Sequence, residues 1–250
     1  MRRTQDRVDE LKALYPAGHG TMFSNRTLDV IAETATSGQY DFMLGIVRGE
    51  LEYRDVNRRA RLAKSAGFPV RKHFDDSFHW DDIGFPDSYS RKEMLSCGFI
   101  KTAENLVLYG GVGTGKTHSA IALGLLACDQ GMTVRFYTMS DLVLKLSAAR
   151  DSGTLDRLLS ALTKVDLLEI DEWGYLPTDR DGARLLFQVI SRRYETGSVL
   201  LTTNLEFSRW GSVFTDDQMA AAMIDRIAHH GRLITYGGES NRMIDALMRR

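Results

Sequence analysis

The chain has 250 residues, of which 43% are hydrophobic and 26% are charged, and its formal net charge is −1. This length suits one large domain, or one domain with a small appendage, and the composition is that of a soluble globular protein. The near-neutral charge gives no global attraction to nucleic acid, and no apolar run approaches the roughly 20 residues of a membrane-spanning helix.

The N-terminus and the cysteines predict a cytoplasmic protein. The first residues, Met1-Arg2-Arg3, lead into further charged positions and lack the apolar segment of a signal peptide. Cys97 and Cys128 have neither metal-binding nor redox spacing. Such cysteines are typical of buried, unreactive thiols in a reducing compartment.

Residues 1–66 are predicted to form a small all-helical domain, interrupted near residues 16–20. The clearest helix covers residues 41–65, where Leu44, Val47 and Leu51 recur three or four positions apart and place an apolar stripe beside a basic one. The basic residues could contact a DNA backbone, or they could form an ordinary solvated face. They are Arg54, Arg58, Arg59, Arg61 and Lys64, followed by Arg71 and Lys72.

Residues 67–104 are interpreted as a linker that packs on the following domain. Gly67-Phe68-Pro69 ends the preceding helix, and residues 68–90 are rich in aromatic side chains and aspartates without a clear period.

Residues 105–250 alternate between strands and helices, which predicts a parallel sheet covered by helices on both faces, an α/β fold. Nucleotide binds such sheets at the carboxyl ends of the strands. The predicted strands are 105–109, 133–137, 166–171, 198–203 and 232–236, and the predicted helices are 117–128, 140–149, 182–195 and 216–230.

A G-x-x-x-x-G-K-[ST] motif stands between the first of these strands and the first helix, where a phosphate loop must stand. Its backbone N–H groups and the helix N-terminus favour phosphate oxygens, so the motif predicts ATP binding. Lys116 is expected to bridge the β- and γ-phosphates, and the Thr117 hydroxyl to ligate Mg²⁺. The nucleotide-binding residues are Gly110, Gly111, Val112, Gly113, Thr114, Gly115, Lys116, Thr117 and His118.

An acidic pair ends the third predicted strand and suits hydrolysis. Asp171 is expected to hold Mg²⁺, and Glu172 to polarise the attacking water. Glu169 points the same way as Asp171, because strand side chains alternate. A carboxylate inside a covered strand is costly unless it is paired, so a structural partner for Glu169 is expected, either a basic residue or the metal shell.

Further polar residues follow in the order typical of an ATPase. Asn204 closes the fourth strand, from which its amide could orient the water, although a plain turn asparagine is the alternative. Arg226 could reach the phosphates from a small helical lid. Arg192 and Arg193 lie late in a helix and could reach the nucleotide of a neighbouring subunit.

Two aromatic segments carry weaker predictions. The pair His229-His230 has no carboxylate or cysteine partner at ligand spacing, so it is interpreted as packing or as a helix cap and not as a metal site. The loop Trp173-Gly174-Tyr175-Leu176-Pro177 could stack on DNA, couple the site to a partner, or belong to the core.

These motifs together resemble the IstB-type transposition helper ATPases, which are relatives of the DnaC-type helicase loaders in the AAA+ class. The resemblance covers nearly the whole chain. It rests on the phosphate loop, the acidic strand, and several motifs that lack phosphate roles. The latter are Phe187 to Glu195, Thr202-Thr203-Asn204-Leu205 with Phe207, Trp210-Gly211, Met223-Ile224-Asp225-Arg226 and Gly238-Glu239-Ser240-Asn241-Arg242.

The resemblance implies an AAA+ module with a five-stranded parallel sheet, which assembles with ATP on double-stranded DNA as a ring or filament. It implies target selection and recruitment of a DDE-type transposase, with the protein on the nucleoid when DNA is bound. Asn204 then corresponds to sensor 1, Arg226 to sensor 2, and Arg192 or Arg193 to the arginine finger. Glu169 departs from the family, which usually has an apolar residue there, and Trp173 is a milder departure.

Two other functions use the same loop. A replicative helicase loader would dock its N-terminal segment on a helicase. A small-molecule kinase would need a base for a substrate hydroxyl and an arginine-rich lid, whereas Asp171 and Glu172 suit water activation.

Overall fold

The computed structural model describes residues 4–14, 23–76, 78–175, 178–214 and 216–240. The helices of the N-terminal part are α1 (Thr4–Ala13), α2 (Asn25–Thr34) and α3 (Ser37–Ala66). The later helices are α4 (Arg91–Leu95), α5 (Gly98–Lys101), α6 (Lys116–Asp129), α7 (Met139–Asp151), α8 (Leu155–Thr163), α9 (Arg180–Arg193), α10 (Trp210–Phe214) and α11 (Asp217–His229). The strands are β1 (Ile83–Gly84), β2 (Asn105–Gly110), β3 (Val134–Thr138), β4 (Leu167–Asp171), β5 (Ser198–Thr203) and β6 (Gly231–Tyr236).

The chain divides into two compact units, Met1–Arg58 and Arg59–Arg250. In the first unit, the described helices enclose a small apolar core of Leu11, Leu28, Tyr40 and Leu44. The predicted domain boundary at residue 66 is also the last residue of α3. The boundary between the two compact units, after Arg58, lies inside this helix.

The second unit contains a six-stranded sheet in the order β1-β6-β2-β5-β4-β3. The five strands β2 to β6 are parallel, which confirms the predicted five-stranded parallel sheet. The two-residue strand β1 was not predicted. It adds an antiparallel edge by pairing Ile83 with Tyr236.

Alternation along the strands divides the core of this unit into two layers. On β4, Leu168 and Ile170 face one layer and Leu167 faces the other. Aromatic side chains from residues 68–85 pack on the second layer, and they include Phe68, Phe74, Trp80 and Phe85. Cys97 and Cys128 are buried, as predicted, and burial raises the pKa of each thiol to about 12.

Glu169 is fully buried, and the expected partner is missing. Within the part of the chain that the structure describes, neither carboxylate oxygen has a hydrogen-bond partner. Burial, reinforced by the charge of Asp171, raises the pKa of Glu169 well above its usual value. The side chain lies beside Gly124, and the expected basic partner is not found among the described residues.

Several short elements escaped prediction, notably α8 and α10. In α8, Leu155, Leu158, Leu159 and Leu162 recur at helical spacing, and this signal was overlooked. Among the described helices, none combines the length and the apolar character that crossing a bilayer requires.

Candidate active site

The phosphate loop joins the end of β2 to the start of α6. Gly113 and Gly115 have φ angles of 82° and 97°, in the left-handed region that favours glycine. The Thr114 hydroxyl braces the loop by donating to the Gly111 carbonyl at 2.9 Å. A Cβ atom at Gly113 would overlap the Ser240 hydroxyl, so the Gly238-Glu239-Ser240 motif lies directly against the loop.

The Lys116 ammonium is held at the mouth of this loop. Its Nζ atom donates to the carbonyl oxygens of Gly110 at 2.8 Å and Gly111 at 2.5 Å. The first turn of α6 begins here, so the positive end of the helix and the ammonium favour an anion at the same place.

Thr117 and Asp171 bring two oxygen ligands together. The Thr117 hydroxyl donates to Asp171 Oδ1 at 2.9 Å, and the Thr202 hydroxyl donates to the same oxygen. A hydroxyl and a carboxylate are the hard ligands that Mg²⁺ prefers, and Asp171 is buried within reach of the phosphate loop. These residues therefore fit the expected magnesium site.

Glu172 leaves β4 in a left-handed conformation, with φ of 58°. Its N–H donates to the Thr202 hydroxyl at 3.0 Å, so Thr202 holds both acids. Such strain in a non-glycine residue is concentrated at functional sites, where surrounding contacts over-determine the backbone. Here it turns the Glu172 side chain out of the sheet.

Glu172 and Asn204 share an open cleft with the phosphate loop. β5 lies between β2 and β4, so Asn204 emerges between the loop and the acidic pair. The lining residues are Val112, Gly113, Lys116, Thr117, Glu172, Tyr175, Thr202, Thr203 and Asn204.

His118 was predicted to bind nucleotide, but its side chain faces the linker. Its Nε2 atom lies 2.8 Å from the His73 carbonyl, and its ring contacts Phe74 and Phe78. His118 can therefore contribute its backbone at the helix start, whereas its imidazole belongs to the linker contact.

Arg193 cannot serve as an arginine finger, which corrects one of the two assignments. The residue is 1% exposed. Its guanidinium donates to the carbonyl oxygens of Leu162 (2.6 Å), Val165 (3.0 Å), Asp166 (3.2 Å) and Ser198 (2.6 Å). Desolvation lowers its pKa to about 10. Arg193 is a structural residue that ties α9 to two neighbouring segments.

Arg192 is exposed on the other side of α9. It pairs with Asp156 at 2.6 Å, and its side chain is 42% exposed. Ion pairs on the surface contribute little, so this contact leaves Arg192 available to another subunit.

Arg226 does not lie at the phosphate loop of its own chain. Its guanidinium contacts the Ala222 carbonyl at 2.8 Å and the ring of Phe187. The neighbouring Ile227 carbonyl accepts from Asn105, at the amino end of β2. The loop begins at the other end of this six-residue strand, about 17 Å away at roughly 3.3 Å per residue. Arg226 is not among the residues that line the cleft, and its contact with the phosphates stays a prediction.

The loop after the acidic pair belongs partly to the core. Trp173 is fully buried and packs on Trp210 and Phe214, so it cannot stack on DNA. Tyr175 is exposed at the cleft. Leu176 and Pro177 lie outside the described residues.

Sequence reasoning missed two residues of the site, Thr202 and Ser240. Thr202 lies beside the acidic pair because β5 is the neighbour of β4. A polar residue at the end of an otherwise apolar strand was the available signal. Ser240 belonged to a motif without an assigned contact, and Asn241 and Arg242 of that motif lie outside the described residues.

The arrangement defines the class of protein. A phosphate loop, an acidic pair two strands away and an asparagine on the strand between them make an AAA+ P-loop ATPase fold. Residues 19–247 match the family model described as IstB-like ATP binding protein, and the chain belongs to that family. Membership implies ATP binding and ATPase activity.

Two relatives extend this identification. The chain is 37% identical over 199 residues to the insertion sequence IS232 ATP-binding protein of Bacillus thuringiensis subsp. berliner, covering 78% of each chain. It is 36% identical over 212 residues to the insertion sequence IS5376 ATP-binding protein of Geobacillus stearothermophilus, covering 85% of this chain and 84% of the relative.

Solved structures support the fold alone. A structure of the DnaC helicase loader superposes with a TM-score of 0.50 at 20% identity, covering 65% of this chain and 95% of that one. The replication initiator DnaA bound to AMPPCP and single-stranded DNA also gives a TM-score of 0.50, at 21% identity, covering 60% and 46% of the two chains.

Proposed function

We propose that this chain is an ATP-dependent DNA-binding ATPase that assembles on double-stranded DNA, selects a target and recruits the transposase of its insertion sequence. The observation that carries the ATPase part is the cleft in which Lys116, Thr117, Glu172 and Asn204 meet. The insertion-sequence origin of the relatives supports the transposition part.

The residues of the cleft divide the work of hydrolysis. The loop N–H groups and Lys116 bind the phosphates and neutralise their charge. The Glu172 carboxylate takes a proton from the attacking water, which Asn204 orients by hydrogen bonding. Thr117 and Asp171 would hold Mg²⁺, which would supply further neutralisation of the phosphate charge when bound.

A neighbouring subunit completes the site with an arginine. Arg192 is exposed on α9 and Arg226 is half-buried on α11, and neither lines the cleft of its own chain. An arginine delivered to the γ-phosphate by another copy links hydrolysis to assembly.

The basic residues of α3 contact the DNA backbone. Arg54, Arg58, Arg59, Arg61 and Lys64 are all exposed. Phosphate contacts of this kind fix position without reading sequence, which suits a protein that accepts many targets.

Self-assembly uses a second face of α3 that sequence reasoning overlooked. Four large apolar side chains are 53% to 73% exposed there, at spacings of four, seven and three residues, and they are Phe42, Ile46, Tyr53 and Val56. The spacing follows a heptad pattern, the arrangement that pairs one helix with another. We assign this stripe to a second copy of the chain.

The deciding experiment measures ATP turnover with and without long duplex DNA, and images the ATP-bound protein on DNA by electron microscopy. We expect DNA-stimulated turnover and ordered assemblies. A protein that stays monomeric and insensitive to DNA would contradict the proposal. Parallel pull-downs with the adjacent transposase and with the replicative helicase distinguish this function from helicase loading. Helicase loading is the alternative function because the fold is similar to that of DnaC.

A further inference from the structure

The fold brings together three metal-ligating residues that are separate in sequence. Glu195 follows α9, and His229 and His230 end α11. One ligand atom from each residue lies within 4.8 Å of the others. The carboxylate partner that sequence spacing did not provide is therefore supplied by tertiary structure.

The backbones that carry these residues are fixed. Glu195 adopts a left-handed conformation, with φ of 59°, two residues after the buried Arg193. The Thr196 and Gly197 N–H groups both donate to the Arg193 carbonyl, which closes the turn around Glu195. On the other side, the His230 carbonyl accepts from the Asn105 N–H at 2.7 Å. Hydrogen bonds therefore hold the backbone around Glu195 and at His230.

The local environment favours a cation. The carboxyl ends of α9 and α11 both lie here, and helix C-termini carry partial negative charge. The Tyr194 hydroxyl lies 2.9 Å from His229 Nδ1, within hydrogen-bond distance, and this contact orients the ring. His230 Nε2 already lies 3.4 Å from Glu195 Oε1.

We propose that Glu195, His229 and His230 bind a divalent transition-metal ion of the Zn²⁺ type, with water in a fourth position. Two imidazoles and one carboxylate suit such ions, whereas Mg²⁺ and Ca²⁺ prefer oxygen ligands. The ion joins the ends of α9 and α11, the helices that carry Arg192 and Arg226. The site is separate from the ATP cleft and does not depend on its function.

The test uses the full chain without a histidine tag, after chelator treatment. Calorimetric titration with Zn²⁺ alone is expected to show one ion per chain with micromolar affinity. Co²⁺ is expected to give the intense visible absorption of a four-coordinate site. The double variant His229→Ala, His230→Ala loses both signals, and the control His79→Ala, at another exposed histidine, keeps them.

Two further variants sharpen the result. Glu195→Gln weakens binding, and Tyr194→Phe, which removes the hydroxyl on His229, weakens it by roughly tenfold. Circular dichroism checks that each variant is folded. Binding that is weaker than millimolar in the unmodified chain, or equally strong in the double variant, overturns the proposal.

Discussion

A Cβ atom on Gly124 would lie 2.8 Å from Glu169 Oε1, so the absent side chain of one residue makes room for the carboxyl group of the other. Gly124 belongs to α6, and Glu169 lies on β4 two residues before Asp171. Burial raises the pKa of Glu169, and the lost hydration of its carboxyl group is not replaced by hydrogen bonds among the described residues.

Glu169→Gln is expected to remove a pH dependence of stability. The native pKa of Glu169 is raised, so above a pH of about 4.3 the unfolded chain releases a proton that the folded chain keeps. The free energy of unfolding therefore falls as pH rises, by about 1.4 kcal/mol per pH unit for this proton, until the native pKa is reached. Urea unfolding followed by tryptophan fluorescence measures this at pH 5 and 7.

The stability of the variant relative to the unmodified chain should therefore be greater at pH 7 than at pH 5. The exposed residue Glu206 provides a control, since Glu206→Gln should leave the pH dependence unchanged. Parallel stability curves for the Glu169 variant and the unmodified chain would show that Glu169 ionises normally.

Lys116→Ala is expected to abolish ATP binding, because the loop then loses the ammonium that neutralises the phosphates. Calorimetric titration with ATP measures the effect. Lys101→Ala, at an exposed lysine outside the loop, should bind as the unmodified chain does. Near-normal ATP affinity in the Lys116 variant would refute the assignment of the loop lysine.

Glu172→Gln is expected to bind ATP and to lower kcat by at least about 100-fold, since the amide cannot accept the proton of the attacking water. The variant should also accumulate the assembled state, which sedimentation in the presence of ATP detects. Normal turnover would mean that another group activates the water.

The local motifs made much of this site predictable. The phosphate loop, Asp171, Glu172 and Asn204 each follow a strand, and parallel strands present such residues at one edge. The arginines were less accessible to prediction, because adjacent helix residues point in different directions. Leu186, Ile190 and Arg193 share one buried stripe at spacings of four and three, and that spacing was the overlooked signal.

Assemblies that mix two variants of the chain can show whether Arg192 or Arg226 is the arginine that acts on a neighbouring subunit. Arg192→Ala or Arg226→Ala should reduce turnover while leaving ATP binding intact, if that residue acts on a neighbour. Mixing the responsible variant with Lys116→Ala subunits should restore activity, because an intact arginine then meets an intact loop. No recovery with either variant would exclude both residues as the trans-acting group.

Arg193→Ala is expected to destabilise the fold. The change leaves four carbonyl groups without their donor in the interior, and we expect a loss of stability of about 3 kcal/mol. Thermal unfolding measures this loss, which Arg192→Ala should not show.

Replacing Arg58, Arg59 and Arg61 together with alanine is expected to weaken DNA binding and to flatten its salt dependence by about one unit of slope per lost phosphate contact. Fluorescence anisotropy at several salt concentrations measures both effects. A charge-matched triple variant at the exposed Lys101, Arg157 and Arg184 serves as the control. If the two triple variants bind DNA with equal affinity and equal salt dependence, DNA binds at another surface of the protein.

The burial of Trp173 against Trp210 and Phe214 has a consequence for how this protein can vary. Trp173 immediately follows Glu172, so the aromatic cluster anchors the base of hydrolysis to the interior of the fold. A substitution at Phe214 that merely loosens packing would also move the carboxylate of Glu172. Selection for turnover therefore acts on residues that never touch the nucleotide, and the cluster should tolerate fewer changes than its contribution to stability alone requires.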